Sequence, residues 1–586
     1  MGIPHLINHL TKYGVLSPLD GDRVVIDGPA LAYHVLHLCI RSTSGLPSYQ
    51  LLGDTCTAWL DKLTRHDISL AAIYFDGFLP PSKLPVRLDR LLRVSTQLKL
   101  FNSTFPNACP AKQVAATRPS LPRLFPTDAP KREQSLLPPP PFLVAAIVDK
   151  LVQSPKYADL VRLVPGEADA YCADDVFRNG GTILTSDSDL TIHDLNDGCV
   201  AFIKDLHVGS VDDKDGLLGL KFSPRDIAER LNLPTDQGMR RFGYELSKST
   251  RPKFSQVLEN CKGDVSDPDG FKEFCKPYES LETTDWKAVP VLGNLTNPKL
   301  DARLSELILQ CVGYTGTSTE ESLVEGYMMC LPPLQDCPAR ASAWDSSASV
   351  RQLAYSFASL LRPGAMSPVR EYRRVYSGTN QGKTIIILPR PSLKDYADFL
   401  LETLTLAKKA FPDEESSWLA VALQQVIISS KSDGKQETCA SAIKQAFSIE
   451  EGSSLVPWDV VHLSAQVQAM LYSLRILAQV LGLLEVVEVK GVPKGLGKLR
   501  ELLETLPSLT KWPTVDGTVA LLKCLKDDGG LANLAEAAEI SESDFLPSKD
   551  AKNKKKKKRK QRTESDAEVR PEKKVSSNPF DILGTE

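Results

Sequence analysis

Short β-rich runs that end in acidic residues constrain the fold of the N-terminal part more than any other feature. Helical patterns separate these runs, and this alternation is typical of βαβ units around a parallel sheet. Ligands in open α/β sheets bind beyond the carboxyl ends of the strands, so Asp27, Asp76 and Asp187 are predicted to converge there. We therefore predict an α/β fold with a parallel sheet over residues 1–210. The predicted strands are RVVID (23–27), LAAIYFD (70–76), LVRLV (160–164), TILTSD (182–187) and CVAFI (199–203).

Three further acids accompany these aspartates. Glu167 and Asp169 follow a Pro-Gly dipeptide, which favours the first turn of a helix, where free N–H groups attract negative charge. Asp187 and Asp189 alternate along a segment predicted to be extended, which places both on one side. Taken singly, such acids are helix caps, turn residues or solvated strand ends.

Taken together, the acids predict a metal site. Six carboxylates at one sheet edge repel one another unless cations neutralise them. Oxygen ligands suit hard cations such as Mg²⁺, and two such ions about 4 Å apart activate water and stabilise both reacting oxygens of a phosphodiester. The sequence thus predicts a two-metal site that hydrolyses phosphodiesters. Its metal ligands are predicted to be Asp27, Asp76, Glu167, Asp169, Asp187 and Asp189.

Composition limits the class of protein. With 586 residues and 42% hydrophobic side chains, the chain is long enough for several packed domains. Its 12 cysteines contain no CxxC pair, so we expect reduced thiols rather than a zinc site or a disulfide scaffold. The pattern of a secretory signal and an uninterrupted apolar run of about 18 residues are both missing, so we expect an intracellular protein without a membrane anchor.

Composition shifts divide the rest of the chain. Residues 104–141 are rich in proline and mostly basic in charge, and we predict a mobile, disordered insertion without helix or strand, either a tolerated surface loop or a substrate contact. Residues 211–289 and 290–546 are predicted to be mostly α-helical, the latter without a chemical motif. Residues 547–586 are predicted to be a disordered basic tail.

Two short stretches of the tail indicate partners. KNKKKKKRKQR at 552–562 fits a nuclear localisation signal that binds a nuclear import receptor, with nonspecific nucleic-acid binding or a solvated tail as alternatives. NPFDIL at 578–583 is a short apolar segment typical of a protein-docking motif, and the alternative is a tail segment without a binding role. We therefore predict nuclear localisation.

Five motifs stand in a fixed order over residues 1–210: MGIPHLINHL (1–10), VVIDGPALAYH (24–34), IYFDG (73–77), VPGEADAYCADD (164–175) and ILTSDSDL (183–190). In type and order they resemble the flap-endonuclease/XPG family of structure-specific nucleases, and within it the asteroid-like branch of fungal type. The resemblance implies a PIN-like 5′-nuclease domain that binds two Mg²⁺ ions, for which Mn²⁺ substitutes. It implies cleavage of DNA at flaps, overhangs or other single-strand/duplex junctions, and it leaves RNA open as a substrate.

The resemblance also implies roles for individual residues. The six acids named above become metal ligands that act in catalysis. Lys83 and Arg90 hold the scissile phosphate, and Arg87 lies beside them on the same predicted helix face. Gly2 corresponds to the family's N-terminal glycine, which packs near the active site.

The chain departs from the family pattern after residue 210. The helix–hairpin–helix module with its GIG-type turn is missing, and Glu245 is the nearest candidate for an additional metal-site acid. The Pro-rich insertion takes the place of the family's helical arch. The alternative function is therefore a catalytically weak or inactive nucleic-acid-binding or signalling scaffold on a nuclease fold. The predicted phosphate contacts in the segment that replaces the module are Arg240, Arg241, Lys248, Arg251 and Lys253.

Overall fold

The structure is a computed structural model that describes most of the chain. Gly2, Arg251 and the tail stretches 552–562 and 578–583 lie outside the described residues, so what the sequence predicts for them stays a prediction. The described residues are 3, 5–42, 46–79, 83–114, 121–125, 137–211, 214–234, 237–249, 253–279, 293–312, 326–361, 367–374, 382–411, 416–450, 452–489 and 491–546.

A mixed sheet organises the N-terminal part. Its strands are β1 (Val15–Pro18), β2 (Arg23–Asp27), β3 (Ser69–Asp76), β5 (Val161–Val164), β6 (Thr182–Thr185), β7 (Cys199–Phe202), β8 (His207–Val211) and β9 (Lys214–Phe222). A further short strand, β4 (Cys109–Pro110), lies outside this sheet. In the described residues this sheet has eight strands in the order β1-β9-β7-β6-β2-β3-β5, with β8 paired to β9. β2 runs parallel to β3 and β6, β3 parallel to β5, and β6 parallel to β7, whereas β9 is antiparallel to its neighbours.

The sheet confirms the predicted α/β class and all five predicted strands, and its mostly parallel centre is consistent with a PIN-like domain. Val24, Val25 and Ile26 of β2 are completely buried, as expected for a central strand covered on both faces. The sequence did not predict β1, β8 or β9. The helices that accompany the sheet are Leu6–Leu10, Gly28–Ser42, Tyr49–Arg65, Leu84–Thr104, Ala111–Val114, Leu143–Val152, Ala168–Asn179, Pro224–Arg230, Gly238–Ser247, Phe254–Lys262 and Pro268–Cys275.

The C-terminal part is mostly helical, as predicted, but it also contains a small sheet. Within its described residues, β10 (Tyr327–Cys330) pairs in parallel with β11 (Val369–Tyr372), which is antiparallel to β12 (Lys383–Ile385). This sheet was not predicted. The helices of this part are Ala302–Cys311, Ala348–Ala358, Leu393–Ala410, Ser417–Ser432, Gln436–Phe447, Trp458–Val486, Gly497–Glu504, Val515–Asp527 and Leu531–Ala538.

The longest described helix is Trp458–Val486, with 29 residues. It is the one described helix that is long and apolar enough to cross a membrane, and 72% of its most apolar window is buried inside the protein. Leu471, Leu474 and Leu477 are completely buried. This burial is typical of a core helix packed inside a protein.

One hydrophobic core joins the N-terminal sheet to the C-terminal helices. Phe142, which follows the Pro-rich insertion, stacks on Tyr472 at a ring distance of 5.0 Å and makes an edge contact with Trp512 at the same distance. Trp344 contacts both Phe142 and Tyr472. The predicted boundaries at residues 210 and 290 therefore do not separate two independent cores.

The described parts of the Pro-rich insertion are more ordered than predicted. β4, at Cys109–Pro110, pairs with Leu455–Val456, and the indole of Trp458 donates a 2.7 Å hydrogen bond to Phe105 O. Leu137, near the other end of the insertion, is buried in the shared core. The expectation of a segment without helix or strand is thus wrong for residues 109–114, because a distant part of the chain supplies the pairing partner.

Candidate active site

Asp27 and Asp76 end neighbouring parallel strands and are held by hydrogen bonds. The Thr185 hydroxyl donates to Asp27 Oδ2 at 2.6 Å, and Ala30 N donates to its other oxygen at 3.2 Å. Ala168 N donates to Asp76 Oδ1 at 2.9 Å. Both carboxylates are therefore fixed at the predicted edge of the sheet.

The segment after β5 brings Glu167 and Asp169 to the same edge. Glu167 is the N-cap of helix Ala168–Asn179, and Asp169 lies in its first turn, as predicted. Gly77 permits the close approach of β3 and β5, because a Cβ there would lie 1.9 Å from Val164 O. Gly77 N also donates to Gly166 O at 3.1 Å, which ties the two strand ends together.

The segment after β6 carries the last two acids. Asp187 N donates to the Thr185 hydroxyl, and Asp187 Oδ1 accepts from Asp189 N, both at 2.9 Å. Asp187 thereby caps a 3₁₀ turn over Ser188–Ile192, so the expectation of an extended segment with both acids on one side is wrong. Asp189 instead accepts a 2.9 Å hydrogen bond from Ile3 N, which anchors the described N-terminal residues beside the site.

The acids interact through their charges. Burial, followed by the charges of Asp27, Asp187, Asp76 and Glu167 in that order, raises the pKa of Asp169 well above its usual value. Burial is also the main cause that raises the pKa of Asp27 to about 6, the pKa of Asp189 to about 6 and the pKa of Asp76. The structure therefore brings five of the six predicted acids together around Asp169, while Asp189 interacts with Asp187 at the margin.

The donor set suits a hard divalent cation. Among the described residues, no three His, Cys, Asp or Glu side chains form the tight group that would bind an ion by protein atoms alone. Mg²⁺ keeps several waters and usually takes only one or two carboxylates directly, so a wider ring of carboxylates fits it. Buried acids with raised pKa values gain most from a neutralising cation. The residues present therefore fit divalent metal ions bound partly through water.

The three predicted phosphate-binding residues in and just before helix Leu84–Thr104 have different surroundings. Lys83, which precedes the helix, lies 2.8 Å from Glu167 and so sits directly beside the acids. Arg90 is exposed, and its charge acts to lower the pKa of Asp76 against the larger effect of burial. Arg87 instead makes a two-bond ion pair with Glu306 of helix Ala302–Cys311.

The segment after residue 237 differs from its prediction in two residues. Arg241 is 1% exposed and donates to Asn260 O and Asp264 O, so it does not face a phosphate. Glu245 lies 3.2 Å from Arg241 and 3.0 Å from Lys248, so its carboxylate is paired with these two cations. A single sequence could not reveal this pairing, because it gave Arg241 as a phosphate contact and Glu245 as the nearest candidate for an additional metal-site acid. Arg240 is half-buried and Lys253 is exposed.

Sequence reasoning missed Tyr278. Its ring contacts His193 edge-on at 5.1 Å, just after the turn that carries Asp187 and Asp189. Burial, followed by the charges of Asp189, Asp187 and Asp169, raises the pKa of Tyr278. The phenol therefore lies close to the acids, yet no motif surrounds it in the sequence.

Comparison with known proteins gives one family match. A family model described as XPG domain containing matches residues 139–384, and no curated protein matches the chain. This match supports the XPG/flap-endonuclease family. XPG-domain proteins are generally structure-specific nucleases that act on nucleic acid with divalent metals. The matched residues include Glu167, Asp169, Asp187 and Asp189 but not Asp27 or Asp76, and they extend well beyond the predicted limit at residue 210.

Proposed function

We propose that the protein is a divalent-metal-dependent endonuclease of the asteroid-like branch, which cleaves DNA at flaps, overhangs or other single-strand/duplex junctions. One observation carries the proposal: the charges of Asp27, Asp76, Glu167 and Asp187 all act on the buried Asp169. Each buried carboxylate is costly without a cation, and this cost is characteristic of functional sites. The XPG match supports the nuclease class.

The acids of the sheet edge would hold two Mg²⁺ ions, with Mn²⁺ as a substitute. When bound, these ions would supply an activated water and neutralise the charge that develops on the phosphodiester. Thr185 and Ala168 N fix the orientation of Asp27 and Asp76 by the hydrogen bonds described above. The carboxylates of Glu167, Asp169, Asp187 and Asp189 complete the ligand set.

Cations around the acids would hold the substrate strand. Lys83 and Arg90 flank Asp76 and Glu167 and would bind the scissile phosphate. Arg240, Lys248 and Lys253 would contact the phosphates of the adjacent duplex, with an affinity that falls as salt concentration rises. Arg87 and Arg241 are excluded from this role in the described arrangement because their guanidinium groups are engaged inside the protein.

A second candidate function is a nucleic-acid-binding or signalling scaffold without cleavage. The pairing of Glu245 favours it, because Arg241 and Lys248 neutralise the residue that is the nearest candidate for an additional metal-site acid. Binding to branched DNA with no cleavage in Mg²⁺ or Mn²⁺ would support this function.

The experiment is a cleavage assay with the purified full-length protein. Labelled 5′ flap, 3′ overhang, bubble, hairpin, single-stranded DNA and RNA would be incubated with wild type and Asp187→Ala, in Mg²⁺ and in EDTA. We expect cuts near a junction that need Mg²⁺ and disappear in the variant. Cleavage that is unchanged in Asp187→Ala would overturn the proposal.

We also propose that the protein acts in the nucleus. The basic stretch 552–562 would bind an import receptor, and 578–583 would dock a protein partner. Deletion of residues 552–562 from a fluorescent fusion of the protein should abolish its accumulation in the nucleus. Unchanged accumulation would contradict this proposal.

A further inference from the structure

A polar cavity of about 420 Å³ lies in the C-terminal part and shares no lining residue with the carboxylate site. We call it the C-terminal cavity. Its volume falls within the range of about 300–1,000 Å³ that is typical of pockets for small organic ligands. Its walls come from the 3₁₀ helix Ala343–Ser347 and the turn before it, the end of helix Ser417–Ser432, and the first turns of helices Gln436–Phe447 and Trp458–Val486.

Neutral hydrogen-bonding groups line much of the C-terminal cavity. The side chains of Ser429, Thr438 and Gln466 make no hydrogen bond within the described residues, so each is available to a ligand. Hydroxyl groups both donate and accept, which suits them to a ligand that itself carries several hydroxyl groups. The neutral polar residues of the wall are Ser342, Ser346, Ser429, Ser430, Thr438, His462 and Gln466.

Two buried polar atoms at this cavity are unpaired. They are Nδ1 of His462 and Oγ of Ser342, and neither has a hydrogen-bond partner among the residues that the structure describes. His462 is only 6% exposed. Burial, followed by the charges of Arg340 and Arg374, lowers the pKa of His462 to about 3, so its imidazole is neutral at physiological pH. Since buried polar groups are nearly always hydrogen-bonded, two unpaired atoms at one cavity point to a ligand that would pair with them.

The charged side chains at the C-terminal cavity are already compensated. A charged ligand would have to compete with existing ion pairs, whereas a hydroxyl group can donate to a paired carboxylate that keeps free lone pairs. None of the described lining residues is phenylalanine, tyrosine or tryptophan, so the wall offers no large ring on which a flat heterocycle would stack. Each aspartate of the wall has a basic partner: the pairs are Arg340–Asp459 at 2.6 Å, Lys435–Asp433 at 3.0 Å and Arg373–Asp345 at 2.9 Å.

We propose that the C-terminal cavity binds a small neutral polyol such as a monosaccharide, with hydroxyl groups of the ligand paired to His462, Ser342 and Thr438. The carboxylate of Asp459 accepts from a further hydroxyl at the wall. Ala442, which is buried, presents a small apolar surface to the C–H groups of the ligand. The site binds this ligand whether or not the protein cleaves nucleic acid, because none of the carboxylate residues takes part.

Saturation-transfer NMR on the full-length protein tests the binding, because it detects weak ligands of large proteins. The probes are glucose, trehalose and myo-inositol, each added separately. We expect saturation transfer to at least one of them, with the same dissociation constant in wild type and in Asp187→Ala. No transfer to any of the three from folded protein would overturn the proposal.

Matched variants locate the site. His462→Phe removes an unpaired buried polar group, so its melting temperature without ligand should equal or exceed that of wild type, while the dissociation constant should rise about tenfold. Thr438 is exposed, so Thr438→Val should fold normally and also bind more weakly. Thr403→Val is the control, because Thr403 lies on helix Leu393–Ala410 and does not line the cavity. Wild-type affinity in both His462→Phe and Thr438→Val would overturn the assignment.

Two further probes distinguish a neutral polyol from related ligands. Glucose 6-phosphate that binds more tightly than glucose, and loses this advantage in Lys435→Gln but not in Lys444→Gln, would replace the neutral ligand by a phosphorylated one. Both lysines belong to one helix region, but only Lys435 lines the cavity. Adenosine that binds while none of the three polyols does would overturn the proposal in favour of a nucleoside.

Discussion

At the residue scale, Asp27 illustrates why the acids need a cation. It is 4% exposed, and two hydrogen bonds from Thr185 and Ala30 stabilise its ionised form. Burial and the charges of Asp76 and Asp187 nevertheless raise its pKa to about 6. The hydrogen bonds fix the direction of the carboxylate but do not offset its desolvation. A bound metal ion would offset the desolvation cost of the ionised carboxylate at neutral pH.

The stability of the metal-free protein should reveal this cost. The folded pKa of Asp27, about 6, exceeds the ordinary value of 3.8, so its ionisation disfavours the folded state as pH rises from about 4 to about 6. Asp27→Asn removes the charge. In EDTA the variant should match wild type near pH 4 and be more stable by about 1–3 kcal/mol at pH 7. Urea unfolding across this pH range measures the difference, and a difference independent of pH would contradict the account.

The sequence predicted which five acids meet around Asp169, because each of them ends or follows a strand or begins a helix in a recognisable motif, whereas Asp189 lies at the margin. It could not predict Tyr278, since the contact with His193 that places it near the acids spans distant residues. It also predicted Arg241 as a phosphate contact and Glu245 as the nearest candidate for an additional metal-site acid, whereas the two residues form a buried pair. A residue type and its spacing do not determine which face of a helix the tertiary structure covers.

At the element scale, helix Leu84–Thr104 has a structural role and, in the proposed function, also a substrate-binding role. Arg87 joins it to helix Ala302–Cys311 through Glu306, while Arg90 remains exposed near Asp76. The residues of the predicted basic face therefore differ: Arg87 is engaged in an ion pair, and Arg90 is left to bind phosphate in the proposed function. The sequence could not separate them, because the partner Glu306 lies more than 200 residues away.

Alanine substitutions should separate these roles. Arg87→Ala leaves Glu306 unpaired in a mostly buried position and should lower the free energy of unfolding by about 1–3 kcal/mol. Arg90→Ala should change stability by less than about 0.5 kcal/mol but lower kcat/KM by about tenfold or more, with a weaker salt dependence. Chemical denaturation and cleavage assays measure both quantities. A loss of stability in Arg90→Ala, or full activity with no loss of stability in Arg87→Ala, would contradict the assignment.

The strands differ in how well the sequence predicts them. The five predicted strands are apolar runs with clear helical neighbours, and all five are found. The short pair of Cys109–Pro110 with Leu455–Val456 joins segments far apart in the chain, and two residues are too few to show a period. The C-terminal sheet β10-β11-β12 has strands of three or four residues and escaped prediction for the same reason.

At the scale of the whole molecule, the C-terminal helices complete the core of the N-terminal part that contains the large sheet. Phe142 packs among Trp344, Tyr472 and Trp512, and all four are buried. A cavity beside Asp76 is lined by residues from both parts. The sequence suggested separate domains because composition changes at the predicted boundaries, but composition carries no information on which surfaces pack together.

Truncation tests this shared core. A fragment of residues 1–289 would expose Phe142 and the other aromatic and aliphatic surfaces of the cluster to water, so we expect it to aggregate or to lack a cooperative thermal transition. Deletion of 547–586 serves as the control and should leave the melting temperature within about 1–2 °C of the full chain. Circular dichroism and limited proteolysis compare the two truncated proteins with the full chain. A fragment 1–289 that melts cooperatively at the temperature of the full chain would show two independent domains.

The central claim, a nuclease site built around Asp169, is tested most directly by single-turnover cleavage of the best substrate in Mg²⁺. The comparison is between Asp169→Asn and Asp174→Asn, two substitutions of the same kind on one helix. Asp174 pairs with Arg178 of the same helix, 2.9 Å away, whereas the charges of four other acids act on Asp169. We predict that Asp169→Asn lowers the cleavage rate about 100-fold or more and that Asp174→Asn retains the wild-type rate. Equal rates for the two variants would contradict the account.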